Sequence, residues 1–153
     1  PVNLMLIGPH YHDEYSRDIL SQIRNESKRG RHTVTYSGCV NHDHLVKWYQ
    51  KASILVCPSL TESFGIVNIE AMSCGTPVIA SDIEGIRDII ESGKDGILVP
   101  PNDSIRLANA LQYLLDNEDV RIGLGKEGRK KAEKKFSWNT IVDKLYDIYK
   151  MLK

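Results

Sequence analysis

The chain has 153 residues, 41% hydrophobic and 26% charged, enough for one domain with a buried core. Lys+Arg and Asp+Glu both number 20, so the formal net charge is zero, which excludes a nucleic-acid binder whose whole surface is basic. Three cysteines, none in a C-x-x-C spacing, exclude a disulfide framework and a zinc knuckle and fit a reducing cytoplasm.

Apolar strands alternate with helices. Val2 to Gly8 reads as a buried strand ended by Gly-Pro, and Glu14 to Lys28 as a helix with Tyr15, Ile19, Leu20 and Ile23 at helical spacing. His32 to Gly38 is a second strand, rich in β-branched residues. Asn41 or Asp43 caps a helix carrying Leu45, Val46, Tyr49 and Ala52. Ser53 to Ser59 is a third strand, followed by a short helix from Gly65 to Ser73 that Cys74-Gly75 stops. Pro77 to Ser81 is a fourth strand, Ile86 to Glu91 a helix ended by Gly93, and Gly96 to Pro100 a fifth strand. The remainder is helical. Asp103 or Ser104 caps a helix with Ile105, Ala108, Leu111 and Leu115 on one face. Val120 to Lys135 is a second helical region, open to a break near Gly123-Gly125. Ser137 caps a last helix whose apolar face is Ile141, Leu145, Ile148 and Leu152. This order predicts a doubly wound, Rossmann-like α/β domain: a parallel sheet covered on both faces, plus a helical C-terminal segment. Its ligand edge lies outside the carboxyl ends of the strands. No apolar run reaches the roughly 18 residues that cross a bilayer, and no signal peptide is visible. The chain enters an apolar strand almost at once, and that abrupt start reads as a cut inside a larger protein.

The stretch ESFGIVNIEAMSCGTP, from Glu62 to Pro77, carries the chemistry. It places one carboxylate, Glu62, on the loop after the third strand and a second, Glu70, inside an otherwise apolar helix. Burying a carboxylate is expensive unless something pairs with it. Gly65 lets the backbone approach a ligand closely, and the free amides of Gly65, Ile66 and Val67 make an anion site that fits a diphosphate. A spacing of eight falls roughly 80° past full rotation, so the two carboxylates share no helix face. The first must reach from the loop and the second from the helix. Both accept charge-assisted hydrogen bonds from hydroxyls. The implied ligand has a negative middle and hydroxyl-bearing ends, which is the shape of a nucleotide-sugar. Taken singly, Glu62 also reads as a solvated loop residue and Glu70 as part of an exposed helix stripe.

E-x7-E with Ser-Phe-Gly after the first Glu, followed by E-A-M-x-C-G-T-P-V-I-A-S-D, closely resembles the family-4 retaining glycosyltransferases of GT-B fold (glycosyl transferases group 1). The mannosyl- and glucosyltransferase group is the most similar part of that family. Y-S-G-C-V, E-G-I-R-D-I-I-E-S-G-K-D-G-I-L-V-P-P-N-D and F-S-W extend the resemblance over nearly the whole chain. It implies a donor-binding domain that transfers a hexose from a UDP-, GDP- or ADP-sugar to a glycan or lipid acceptor. Glu62 is then the candidate catalytic residue, touching hydroxyls of the transferred sugar as a positioner rather than a nucleophile. Ser63, Phe64, Gly65, Ile66 and Val67 hold the sugar and diphosphate, Glu70 the ribose, and Gly38, Cys39 and Val40 the base. The resemblance implies no metal and no cofactor besides the donor, no nucleic-acid partner, and a cytoplasmic setting with room for peripheral membrane contact.

The sequence departs from that pattern at its start. The family's first strand, the Arg and Lys that clamp the diphosphate after it, and the acceptor-binding N-terminal domain have no counterpart here. The missing strand is central in the order 3-2-1-4-5-6, and its loss predicts a slot between NLMLIG and SILVCP. The expected Gly-x-Gly-Pro is reduced to Gly8-Pro9-His10. The 153 residues are therefore read as a single nucleotide-sugar-binding domain, inactive alone. Other readings stand beside this one. They are a non-catalytic nucleotide-sugar-binding module, a GT-B epimerase or phosphorylase, and a zinc site of His10, His12, Asp13, His42, Asp43 and His44. The basic window Lys126 to Lys135 reads as a solvated helix face or, more sharply, as a membrane-surface patch.

Overall fold

In the computed structural model, residues 2–9, 14–30 and 32–152 are described, the side chains of Tyr15 and Ser27 apart. The backbone runs β1 Asn3–Leu6, α1 Glu14–Lys28, β2 Thr33–Tyr36, α2 His42–Lys51, β3 Leu55–Cys57, α3 Ile66–Ser73, β4 Val78–Ser81, α4 Glu84–Arg87, β5 Ile97–Val99, α5 Ser104–Asp116, α6 Glu118–Phe136 and α7 Trp138–Met151. Alternation of strand and helix is as expected. The strands are shorter than the apolar runs suggest.

The chain divides into two compact units, Pro1–Leu45 and Val46–Lys153. In the first, β1 and β2 pair in parallel from Asn3↔Thr33 to Leu6↔Tyr36, joined by α1 as a βαβ crossover. Beyond the strands the ladder continues through Ser37 N–H to the Leu6 carbonyl and Gly8 N–H to the Gly38 carbonyl. The Tyr36 hydroxyl donates to the Gly8 carbonyl at 2.8 Å. Ile19, Leu20 and Ile23 are half-buried, as their spacing predicts.

In the second unit, β3, β4 and β5 form a parallel three-stranded sheet in that order. Central β4 is covered on both faces. Val78, Ile79, Ala80 and Ser81 are all buried, which is why the strand reads as a continuous apolar run. Ile79, Val99, Leu114 and Leu124 form a core cluster, with Leu107, Ala110 and Leu111 packed against it. Met72, Ile86, Ile89 and Ile90 are fully buried as well. Among the described residues, β1 and β3 share no ladder.

Local signals set the helix ends. Asp103 caps α5 by accepting from Arg106 N–H at 2.9 Å, and Ser137 caps α7 by accepting from Thr140 N–H. Asn41, not Asp43, precedes α2 and accepts from Asp43 N–H. Helix α3 closes with Gly75 at φ 78, Gly75 N–H on the Met72 carbonyl and Thr76 N–H on the Ala71 carbonyl. This is a Schellman motif, and only glycine takes that φ without cost.

Several expectations fail for physical reasons. The buried stripe of α5 is Leu107, Ala110, Leu111 and Leu114, whereas Ile105, Ala108 and Leu115 face solvent. Two overlapping i, i+3, i+4 apolar sets fit this helix, and packing on β4 and β5 selects one. Helix α4 is one turn, Glu84–Arg87, rather than Ile86 to Glu91. Ile89 and Ile90 remain buried beyond it because both amides turn back onto the Ile86 carbonyl. Helix α6 runs unbroken through Gly123 and Gly125. A side chain at Gly125 would overlap the Gly75 carbonyl oxygen, so this glycine permits close helix packing rather than a break. The predicted apolar face of α7 is exposed at Ile141, Leu145, Ile148 and Leu152, and that helix buries no residue. The basic window of α6 is only partly a solvated face. Lys130 pairs with Glu127 and Arg129 with Glu133 at the surface, but Lys131 meets the buried Asp95 at 2.7 Å.

Candidate functional site

The loop after β3 carries Glu62 at the carboxyl edge of the sheet, where a parallel α/β unit presents ligand sites. Glu62 is half-buried, and its carboxylate accepts from the Ser63 amide at 3.1 Å. Gly65 ends the loop at φ 75, ψ 46 and stands at the N-cap of α3, where no side chain caps the helix. The first amides of α3 therefore depend on a partner other than a capping side chain. Asn68 N–H is already engaged by the Gly65 carbonyl. Ile66 and Val67 are exposed at this helix start, as is Phe64.

Three contacts hold the loop. A side chain at Gly65 would lie 2.5 Å from Ile86 Cδ1 and 2.8 Å from Asn68 Nδ2, so glycine is required for space as well as for φ. A side chain at Gly85 would overlap the Glu62 carbonyl oxygen, so the turn after β4 sits directly on the Glu62–Ser63 backbone. Phe64 meets Phe136, the Phe of F-S-W, edge to face at a centroid distance of 6.1 Å. On that turn Arg87 Nε donates to Asp82 at 2.7 Å, and this hydrogen bond holds the Asp82 carboxyl below the usual carboxylate range.

Glu70 is half-buried, not on an exposed stripe. The Tyr49 hydroxyl donates to Glu70 Oε2 at 2.9 Å. Tyr49 is itself buried, with its carbonyl accepting from Thr76 Oγ1 at 2.6 Å. Burial, then the Glu70 carboxylate, push the Tyr49 phenol well above its ordinary range, so it stays a donor to Glu70 at all working pH. That hydrogen bond fixes one oxygen of the Glu70 carboxylate. Asn68, one turn into α3, is completely buried, and neither Nδ2 nor Oδ1 has a hydrogen-bond partner among the described residues.

Gly38, Cys39 and Val40 belong to the first unit. They follow β2 at its carboxyl end, with Gly38 at φ 70 and its carbonyl held by the Gly8 amide. Cys39 is exposed and Val40 half-buried. Of the histidine set, His10, His12 and Asp13 lie outside the described residues, and the described residues hold no cluster of three or more metal-ligating side chains.

Sequence reasoning missed Tyr49, Asn68 and Gly85. Tyr49 reads as one more apolar position of α2. Its hydroxyl was the available signal, since a buried phenol needs an acceptor. Gly85 and Asn68 carry no local signal, because each matters only through what packs on it.

A family model described as glycosyl transferases group 1 matches residues 1–131. An uncharacterized glycosyltransferase of Methanocaldococcus jannaschii is 36% identical over 148 residues, covering 97% of this chain and 37% of that protein. D-inositol 3-phosphate glycosyltransferase 1 of Catenulispora acidiphila is 31% identical over 143 residues, covering 94% of this chain and 34% of that protein. The chain thus spans little more than a third of the length of these relatives. Among solved structures, sucrose-phosphate synthase from Thermosynechococcus elongatus superposes with TM-score 0.85 at 36% identity, over 97% of this chain and 38% of that one. HepE of Anabaena, solved with UDP, shares the fold with TM-score 0.85 at 24% identity, over 98% of this chain and 41% of that one. With a doubly wound α/β fold, strings that match from the first strand into α6, and GT-B glycosyltransferases as its structural neighbours, the chain belongs to the glycosyl transferases group 1 family.

Proposed function

We propose that this chain binds the nucleotide-sugar donor of a retaining hexosyltransferase. The observation that carries the reading is the α3 entry: an uncapped helix start behind Gly65, with Glu62 before it and Glu70, fixed by Tyr49, within it. Glu62 positions the transferred sugar through its hydroxyls. Backbone amides of Phe64, Gly65 and Ile66, with Ser63 and Val67 beside them, receive the sugar and diphosphate. Glu70 takes the ribose hydroxyls. Both the Methanocaldococcus jannaschii and the Catenulispora acidiphila relatives are named as glycosyltransferases, which supports the reaction class.

Chemically, the nucleotide departs and the acceptor attacks from the same face, which retains the anomeric configuration. Charge builds on the departing diphosphate, and oriented amides at a helix start stabilise that charge more than the ground state. The cations that complete this stabilisation come, in this reading, from sequence outside the 153 residues, as does the glycan or lipid acceptor site. No metal or other cofactor is called on, and the enzyme works in the cytoplasm.

Titrating UDP-, GDP- and ADP-sugars against the intact enzyme tests the reading. One donor should bind, and Glu70→Ala should weaken it about tenfold or more, the loss of charge-assisted hydrogen bonds. Binding of none, with no effect of Glu70→Ala, overturns it. Donor binding without sugar transfer or donor hydrolysis in the intact protein would instead select a non-catalytic nucleotide-sugar-binding module.

A further inference from the structure

We propose that the second unit carries another anion site, a cleft at the amino ends of β3 and β4 that takes a phosphate-bearing ligand. It lies at the opposite end of these strands from Glu62. The cleft has a volume of about 380 Å³, with Ser53, Gly75 and Pro77 on one wall and Arg121, Lys126 and Arg129 of α6 on the other. That volume is in the range that holds a small ligand.

Three cations and no carboxylate line this cleft, in a chain whose formal net charge is zero. Close packing of Gly125 on Gly75 draws α6 down and sets the cations around the turn between α3 and β4. Lys126 and Arg129 are three residues apart and share a helix face. The stem of Arg129 lies over Gly75, where an added Cβ would sit 3.9 Å from Arg129 Cδ.

The donors are partly spent but not exhausted. Arg121 Nη1 donates to the Leu114 carbonyl at 3.0 Å and Nη2 to Glu118 at 3.2 Å, which fixes the guanidinium and leaves other N–H groups. Arg129 uses Nε on Glu133 in a pair exposed on both sides, and such pairs are weak. Lys126 has no hydrogen-bond or ion-pair partner among the described residues. Like charges gathered in a concave wall repel one another unless an anion sits between them. A phosphate group meets this donor set, whether it arrives on a soluble ligand or on a lipid head group.

The test is site-resolved titration of the ¹⁵N-labelled intact enzyme, with inorganic pyrophosphate as the probe. Saturable shifts are expected at the Gly75, Gly123 and Lys126 amides. The double variant Lys126→Glu/Arg129→Glu should weaken them tenfold or more. Both side chains are exposed, so the fold survives, which circular dichroism checks. Shifts at Gly65, Ile66 and Val67 report the donor site separately, so failure at one end leaves the other standing. A second arm uses co-sedimentation with phosphatidylglycerol vesicles. Vesicle binding that the double variant abolishes identifies the lipid head group as the source of the phosphate. Absence of both pyrophosphate shifts and vesicle binding overturns the proposal, and so do shifts that survive the double variant.

Discussion

Residues 1–45 and 46–153 use the same building pattern of short apolar strand and helix, yet they bury very different amounts of it. No described residue of the first unit is fully buried, and β1 shows its strand residues half-buried or exposed. In the second unit β4 is buried at every position. The difference lies in the number of covers. A two-stranded sheet with one crossover helix cannot shield both faces, whereas a middle strand flanked by strands and backed by helices is shielded everywhere. The same contrast explains the chemistry. Fixed polar side chains such as Glu70 with Tyr49 and Asp95 with Lys131 occur in the shielded unit, where an unpaired carboxylate is costly.

The largest expected effect comes from breaking that shield at its buried ion pair. Asp95→Ala leaves the Lys131 ammonium and the Glu91 amide unpartnered and should cost about 3–5 kcal/mol. In amide exchange, protection of β4 should fall by orders of magnitude while β1 hardly changes. An equal loss in both strands would show that the contrast between the units is not one of stability.

Next is Gly125→Ala. Its methyl group would overlap backbone at Gly75, so α6 must shift off the turn, at about 1–3 kcal/mol by urea denaturation. A neutral result would mean the helix can slide without loss.

Tyr49→Phe removes one hydrogen bond to a half-buried carboxylate and should cost about 1 kcal/mol, with a severalfold loss of donor affinity as Glu70 loses its orientation. The pH dependence has a definite sign. The folded chain holds the phenolic proton more tightly than the unfolded chain, so stability is intact below about pH 10 and falls as pH rises beyond it. Tyr49→Phe should flatten that alkaline fall, and an unchanged alkaline limb would place its origin elsewhere.

The smallest effect has the opposite sign. Asn68→Leu replaces two unpartnered buried polar atoms by apolar ones of similar shape, and should be neutral or stabilising by about 1 kcal/mol in thermal unfolding. A clear destabilisation would show that the amide has a partner in solution.

Much of the fold was legible because its signals are local. Apolar runs of strand length, Asp103 and Ser137 at helix starts, and Gly75 at a helix end each act on backbone within a few residues. The α3 entry was legible for the same reason, since Gly65 and the amides after it are neighbours in sequence. The buried face of α5 was not legible, because Ile105 and Leu107 both begin plausible stripes and only the sheet distinguishes them. The break expected in α6 failed because a glycine that weakens a lone helix also permits contact with another backbone.

The amino-acid sequence by itself therefore determined the order of elements, the loop after β3, the two carboxylates around a helix start and the family. Tertiary structure alone decided what stands behind those carboxylates. Tyr49 reaches Glu70 across 21 residues and Lys131 reaches Asp95 across 36. Contacts at such separations depend on how finished elements pack, and neither period nor propensity encodes that packing.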